Sequence, residues 1–329
     1  MAERTTVFQN TQIGVEVTPG TAVAANRKLG ALSIAPAIKS EVSMFRALGN
    51  KFPTVGALGK EWVESKLSGQ LTYSEIVYIL SSLMRTVTPT RNIPSTGLSY
   101  NWVFAPALAA ADTVTTFTVQ QGDAVRAQQS AYSLVSGLKI SIDRSEAKLD
   151  GTMLGRAISD GITMTASPTS IALIPVLPTQ VSVYLANTAA ALSGATALAR
   201  VMSASWALEN RFGVIWALNR ANSSFVAHVE IEPKLVCTLK VEADAEGMGP
   251  LTHLRAGSTQ FLRIEAVGAN IETTYDYKML IDTAVKVGEP SEFQDADGVY
   301  ALEWTLNGVY DPTWAKTTEI AVTNTLAAL

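Results

Sequence analysis

Apolar and polar residues alternate with a period of two through several stretches of the chain, which predicts half-buried strands. In GLKISID, Leu138, Ile140 and Ile142 alternate with Lys139, Ser141 and Asp143. In VYALEWTLN, Tyr300, Leu302, Trp304 and Leu306 form the apolar face. In FVAHVEIE, Phe225, Ala227, Val229 and Ile231 take one side and His228, Glu230 and Glu232 the other. The single cysteine, Cys237, shares the apolar side of LVCTLKVE with Leu235, Leu239 and Val241 and reads as a small buried hydrophobe. Alternation of this kind favours antiparallel sheets with one face on a core, so the expected fold is mainly β. One segment departs from the period. Thr72-Tyr-Ser-Glu75 has the form of a capping box, and Tyr73, Ile76, Val77, Leu80, Leu83 and Met84 then fall on one stripe. This predicts a helix from Thr72 that covers an open face or edge of a sheet and is stopped by Thr88-Pro89 and Asn92-Ile-Pro94.

The second half reads as a repeat of the first in its order of elements, the alternative being that an all-β chain offers strand, loop, strand and short helix twice by chance. SASWALEN (203–210) answers LSIAPAIK (32–39), EPKLVCTLKVEADAEGMGPLTHLRAG (232–257) answers GKEWVESKLSGQLTYSEIVYIL, and TQFLRIEAVG (259–268) answers SYNWVFAP (99–106). An offset of roughly 170 residues is the size of a small domain and too long for a solenoid repeat. The expected layout is an arm over residues 1–25, a first β domain over 26–165, a linker with a connecting strand over 166–200, a second β domain over 201–310 and an arm over 311–329.

Composition adds an expectation of assembly. Charged residues make up 16% of the 329 positions and hydrophobic ones 47%, against roughly a quarter charged in an average soluble protein. A permanent oligomer that buries much of each subunit surface accounts for such a balance, because obligate interfaces are depleted in Lys and Glu. A net charge of −4 and the absence of any basic run argue against a DNA-gripping surface. The start, MAERTTVFQN, lacks the apolar stretch of a secretory signal, and one cysteine allows no intrachain disulfide, which fits a reducing cytoplasm. No charged residue lies between Asp160 and Arg200, but the Ser, Thr, Asn, Gly and Pro content of that stretch makes it a poor membrane span.

Catalytic patterns are scarce. His228 lies beside Glu230 and Glu232, and His253 lies in PLTHLRAG; a His-carboxylate pair can orient a base or bind a metal, but structural roles are far commoner. Neither a Cys/His cluster, a phosphate-binding loop nor a Gly-x-Ser-x-Gly elbow is present. Glu289 with Glu292, or Asp295 with Asp297, supply the two acids a glycosidase needs, although Asp-x-Asp-Gly before an alternating strand reads more simply as a turn. Arg144, Arg156, Arg255 and Arg263 read as interface or sheet-face residues whose forks suit carboxylates of a neighbouring subunit.

QIGVEVTPGTA (12–22), SKLSGQLTYSEIVYILSSL (65–83), SYNWVFAP, YSLVSGLKISIDRSEAKLDGTMLGRA (132–157) and the closing GVYALEWTLNGVYDPTW…VTNTL resemble, in kind and order, the tail tube proteins of long-tailed bacteriophages. The resemblance implies two tandem tail-tube-like antiparallel β-sandwich or barrel domains, each with a short flanking helix. It implies a structural virion protein without enzymatic activity or cofactor, made in the host cytoplasm and built into the tail. Its partners would be further copies of itself, the tape measure protein and the tail-terminator or tip proteins, with DNA passing through the lumen without specific binding. Single-domain members form rings of six, so a doubled chain implies either rings of three with pseudo-sixfold symmetry or rings of six with one half decorating the exterior, their acidic lumen repelling phosphate. Three assembly elements are implied: the N-terminal arm, a mobile loop around 40–60 anchored by Phe45, Leu48, Phe52 and Val55, and the tail after Asp311. A capsid decoration or baseplate protein, and a β-sandwich carbohydrate-active protein, are the alternatives.

Overall fold

Among the described residues, nineteen strands form one continuous hydrogen-bonded network and two more form a separate hairpin, so the protein is mainly β. The structure, a computed structural model, describes residues 6–123, 125–218 and 222–329. The first half supplies β1 (Asn10–Val15), β2 (Arg27–Lys28), β3 (Leu32–Phe45), β4 (Val55–Gln70), helix α1 (Ile76–Leu83), β5 (Thr90–Arg91), β6 (Tyr100–Phe104), β7 (Phe117–Gly122), β8 (Ala127–Asp143), β9 (Ala147–Gly155), β10 (Ile158–Ile162) and β11 (Thr169–Ser170). The second supplies β12 (Val181–Ala186), β13 (Val201–Glu209), β14 (Phe212–Ile215), β15 (Ala227–Glu230), β16 (Lys234–Glu242), helix α2 (Pro250–Ala256), β17 (Thr259–Glu272), β18 (Tyr275–Pro290), β19 (Gln294–Ala296), β20 (Val299–Gly308) and β21 (Thr318–Asn324).

A long sheet runs in the order β3-β4-β9-β8-β13-β16-β20-β18, all antiparallel. Two flanking sheets pack with it. One is β11-β2-β1-β7-β8-β10, mixed through the parallel β2–β11 pair. The other is β12-β17-β18-β21-β6-β5. Strands β8 and β18 belong to two sheets each because they are 17 and 16 residues long; at about 3.3 Å per residue each spans roughly 50 Å. In β8, residues up to Ser133 pair with β7 and those from Leu134 onward with β9.

The same pairings occur in each half. The pairs β1–β7, β3–β4, β4–β9, β8–β9, β7–β8 and β8–β10 match β12–β17, β13–β16, β16–β20, β18–β20, β17–β18 and β18–β21 in turn. In both, a short helix follows the second long-sheet strand. TQFLRIEAVG therefore takes the place of β7, not of SYNWVFAP as its sequence position suggests. SYNWVFAP forms β6, which pairs with β21 of the other half. The halves also share the long sheet through β8–β13. TQVSVYLAN, expected as a connecting strand in a linker, is β12 and edges the second flanking sheet.

The core lies between the sheets, with Leu138, Ile140, Trp206, Leu239, Trp304 and Leu306 buried from the long sheet. Helix α1 differs from its expected form: it begins at Ile76, and all eight residues are buried rather than one stripe. Its side opposite the stripe carries Tyr78 and Ile79, and the Ser81 hydroxyl donates to the Val77 carbonyl while Ser82 Oγ accepts from Val135 N–H, although the buried Tyr78 hydroxyl has no hydrogen-bond partner among the described residues. Half of the capping box forms, Glu75 N–H donating to Thr72 Oγ1 at 3.1 Å. The Glu75 carboxylate instead accepts from the N–H groups of Gly30, Ala31 and Leu32 at 2.5–3.3 Å, fixing the root of β3. Glu16 of QIGVEVTPGTA acts likewise, accepting from Gly20 N–H, Tyr132 N–H, Thr116 Oγ1 and Thr118 Oγ1.

The expected arms are parts of the body. Within 1–25, of which 1–5 lie outside the described residues, β1 pairs with β2 and β7. After Asp311, β21 sits between β18 and β6. The largest departure is the mobile loop expected at 40–60: β3 and β4 pair without a gap in hydrogen-bonded register from Leu32↔Gly69 to Phe45↔Val55, apart from one shift at Glu41/Val42. The reason is that Gly56 and Gly59 are accommodated inside a strand, leaving only 46–54 as the turn.

Candidate assembly surfaces

The β3–β4 hairpin leaves the body beyond Val63, and its outer part is exposed on both faces. Residues Ile38, Val42 and Met44 continue the face that Leu32 and Ile34 turn to the core, since β-strand side chains repeat every two residues. Leu58 stands opposite Val42 in the register. A Cβ on Gly56 would lie 3.1 Å from Met44 Sδ and 3.8 Å from Val42 Cγ1, which places these side chains together over the glycine. The four are 52–68% exposed, a strip of core-like residues with nothing over it in the isolated chain. The other face carries the ion pairs Lys39–Glu64 (3.6 Å) and Lys60–Glu41 (3.3 Å). The expected anchors Phe45, Leu48, Phe52 and Val55 are all exposed, Leu48 completely, at or beside the turn.

The corresponding excursion of the second half, between β13 and β16, is folded down onto the first. Arg156 donates through Nε to the Phe225 carbonyl (3.0 Å) and through Nη2 to that of Val226 (2.8 Å), and its guanidinium lies over the rings of Tyr132 and Phe225. Tyr132 Oη bonds His228 Nδ1 at 3.0 Å, and Trp216 meets Trp62 edge to face. Arg211, 5% exposed at its side chain, binds Asp112 (2.6 Å) and Glu230 (3.1 Å) and donates to the Leu83 carbonyl. This reverses the expected faces at the centre of FVAHVEIE: His228 and Glu230 point inward while Val229 and Ile231 are exposed, although Phe225 is buried and Glu232 exposed as expected. The inward acid is satisfied by an arginine 19 residues away in sequence, a pairing that periodicity does not register. Burial pushes the His228 imidazole below its usual pKa, with the Glu230 carboxylate opposing.

Two strand edges of the long sheet are open. Among the described residues, strand β3 pairs only with β4. At the other end, Lys286 of β18 is opposite both Thr259 of β17 and Asn307 of β20, so these neighbours lie on opposite edges. Pairing with β17 ends there, which leaves the edge of Val287–Pro290 without a partner among the described residues.

The exposed face of the long sheet is mixed in charge. Lys66, Lys139, Lys148, Lys234 and Lys240 lie among Glu64, Asp143, Asp150, Glu209 and Glu303. No arginine stands on the eight strand segments that build it. A groove of about 800 Å³ crosses it, lined in part by Lys66, Lys139, Asp150 and Glu209.

Of the arginines expected at subunit contacts, three have partners in their own chain. Arg156 pins the second excursion, Arg263 holds Asp282 with two bonds of 2.7 Å, and Arg144 pairs with Asp297. Arg255, in the last turn of α2, is exposed. The structure brings neither histidine to a catalytic grouping: His253 Nδ1 meets Ser258 Oγ at 2.8 Å, and His228 Nδ1 meets Tyr132 Oη. Asp297 and Gly298 have φ of 56° and 83°, the paired positive values of a type I′ turn joining β19 to β20. Among the described residues no group of three or more His, Cys, Asp or Glu is placed to hold a metal ion.

No protein-family model matches the chain, and no curated protein matches it.

Proposed function

We propose that the protein is a self-assembling structural subunit, the tail tube protein of a long-tailed phage, that closes edge to edge into rings and stacks into a tube around passing DNA. The supporting observation is the junction the chain already contains. Strand β8 pairs with β13, the first long-sheet strand of the second half. The counterparts of these strands, β18 and β3, are left open at the two ends of the sheet. Pairing β18 of one copy with β3 of the next repeats the internal junction and removes both exposed edges, which otherwise template aggregation. With two equivalent units per chain, three copies make a pseudo-sixfold ring whose wall is a continuous sheet. The hairpin strip of Ile38, Val42, Met44 and Leu58 is then covered by another copy.

An arginine-free sheet face suits a wall over which a polyanion passes. Lysine offers single, mobile bonds where arginine grips a phosphate with two, and the interleaved carboxylates repel phosphate. This reading assigns the protein no reaction and no cofactor, and places it in the virion tail. Negative-stain microscopy of the concentrated purified protein tests it: hollow filaments of uniform width are expected, and a protein that stays dispersed at every concentration and salt contradicts it.

A further inference from the structure

The two ends of the long sheet carry complementary surfaces. At one end is the turn of the β3–β4 hairpin. Between Val42 and Gly59 the only charged residues are Arg46 and Lys51. Both are exposed, and neither meets a carboxylate: Arg46 donates to the Asn50 carbonyl at 3.3 Å, and Lys51 lies over the ring of Phe52, 5.6 Å from its centre. Around them stand Phe45, Leu48 and Phe52.

The other end is reached by following the register. The hairpin root, at Gln70, is opposite Lys148, next to the β8–β9 turn. Asp143 of that turn pairs with Ser203, Val201 pairs with Val241, and Glu242 pairs with Ala301. The segment 289–300 therefore lies at the root end, and the Arg144–Asp297 ion pair ties it to the β8–β9 turn. It holds Glu289, Glu292, Asp295 and Asp297 and no lysine or arginine. Its aromatic residues are out in solvent, Phe293 at 62% and Tyr300 at 76% exposed, with their rings 6.1 Å apart. Glu289 and Glu292 are exposed and form no ion pair among the described residues. The equivalent connection of the first half, 144–146, is a tight turn, so the acidic, aromatic segment is an addition specific to the second half.

Resting on the tube reading, we infer that the basic, apolar hairpin turn of one copy docks on the acidic, aromatic segment 289–300 of a copy in the next ring. The surfaces match in charge and apolar character. They also lie at opposite ends of one sheet, so the contact is head to tail and propagates along the tube axis without closing. Partly buried ion pairs flanked by aromatic anchors contribute orientation as well as affinity.

The test is a charge exchange. The variant Arg46→Glu/Lys51→Glu is expected to raise the protein concentration needed for filaments at least tenfold while leaving the melting temperature unchanged. Glu289→Lys/Glu292→Lys is expected to do the same. Mixing the two variants, or combining all four substitutions in one chain, should restore filaments. Filaments formed by Arg46→Glu/Lys51→Glu at the wild-type concentration, or loss that the combined variant does not restore, overturns the docking. Wild-type protein that forms no filaments at all overturns the tube reading instead.

Discussion

Replacing the apolar strip of the hairpin by threonine, as Val42→Thr, Met44→Thr and Leu58→Thr, separates assembly from folding. Fully burying a side chain of this size is worth about 1.5–3 kcal/mol. The three are 53%, 68% and 52% exposed in the isolated chain, so covering the remaining surface contributes roughly 1 kcal/mol each. Together they supply about 3 kcal/mol per contact, and at about 1.4 kcal/mol per factor of ten their loss weakens that contact on the order of a hundredfold. Folding has little to lose, because threonine keeps the β preference of the strands and no packed core is opened. The assay pairs light scattering across a concentration series with thermal melting. The expected result is a critical concentration raised by about two orders of magnitude at an unchanged melting temperature. An unchanged critical concentration refutes the argument that the strip is covered by another copy. A melting temperature that falls with the substitutions refutes the premise that the strip lies outside the folded body's own packing.

Arg211→Ala should destabilise the protein by about 3–5 kcal/mol, because it leaves Asp112, 1% exposed at its side chain, without its closest cation; denaturant unfolding measures this, and a loss under about 1 kcal/mol contradicts the buried-pair reading. For His228 the folded pKa is lowered, so the folded state binds fewer protons than the unfolded one; stability is full above the usual histidine range and declines as pH falls through it, and melting at pH 7 and pH 5 should show a smaller decline in His228→Gln than in wild type. Cys237 is fully buried and its thiol is pushed up to about 12 by that burial; it should resist a thiol reagent in the native protein and react on denaturation, whereas rapid native labelling would show the core around Trp206 and Leu306 to be open.

Strands with one wet and one dry face were legible, as GLKISID shows: Leu138, Ile140 and Ile142 are all at most 6% exposed. The period failed where distant residues decide the environment. FVAHVEIE inverts because Arg211, Asp112 and Tyr132 satisfy Glu230 and His228 from inside. The hairpin read as a loop because Gly49, Gly56 and Gly59 suggest mobility, although Ile38, Val42 and Met44 alternate with Lys39, Glu41 and Ser43. Helix α1 was found, but its depth was not, since the hydroxyls of Ser81 and Ser82 look polar until their internal partners are known. The open edges at β3 and Val287–Pro290 are properties of pairing and have no signature in composition. The acidic segment 289–300 did leave a signal, four acids with Phe293 and Tyr300, yet only the register places it at the opposite end from Arg46 and Lys51.

Electron cryo-microscopy of the assembled filament tests the central claim most directly, because it shows which strands meet between chains. The account predicts three chains per ring, with β3 of each hydrogen-bonded to the segment after Lys286 of its neighbour. Six chains per ring, or a β3 edge left facing solvent or a non-strand surface, contradicts it.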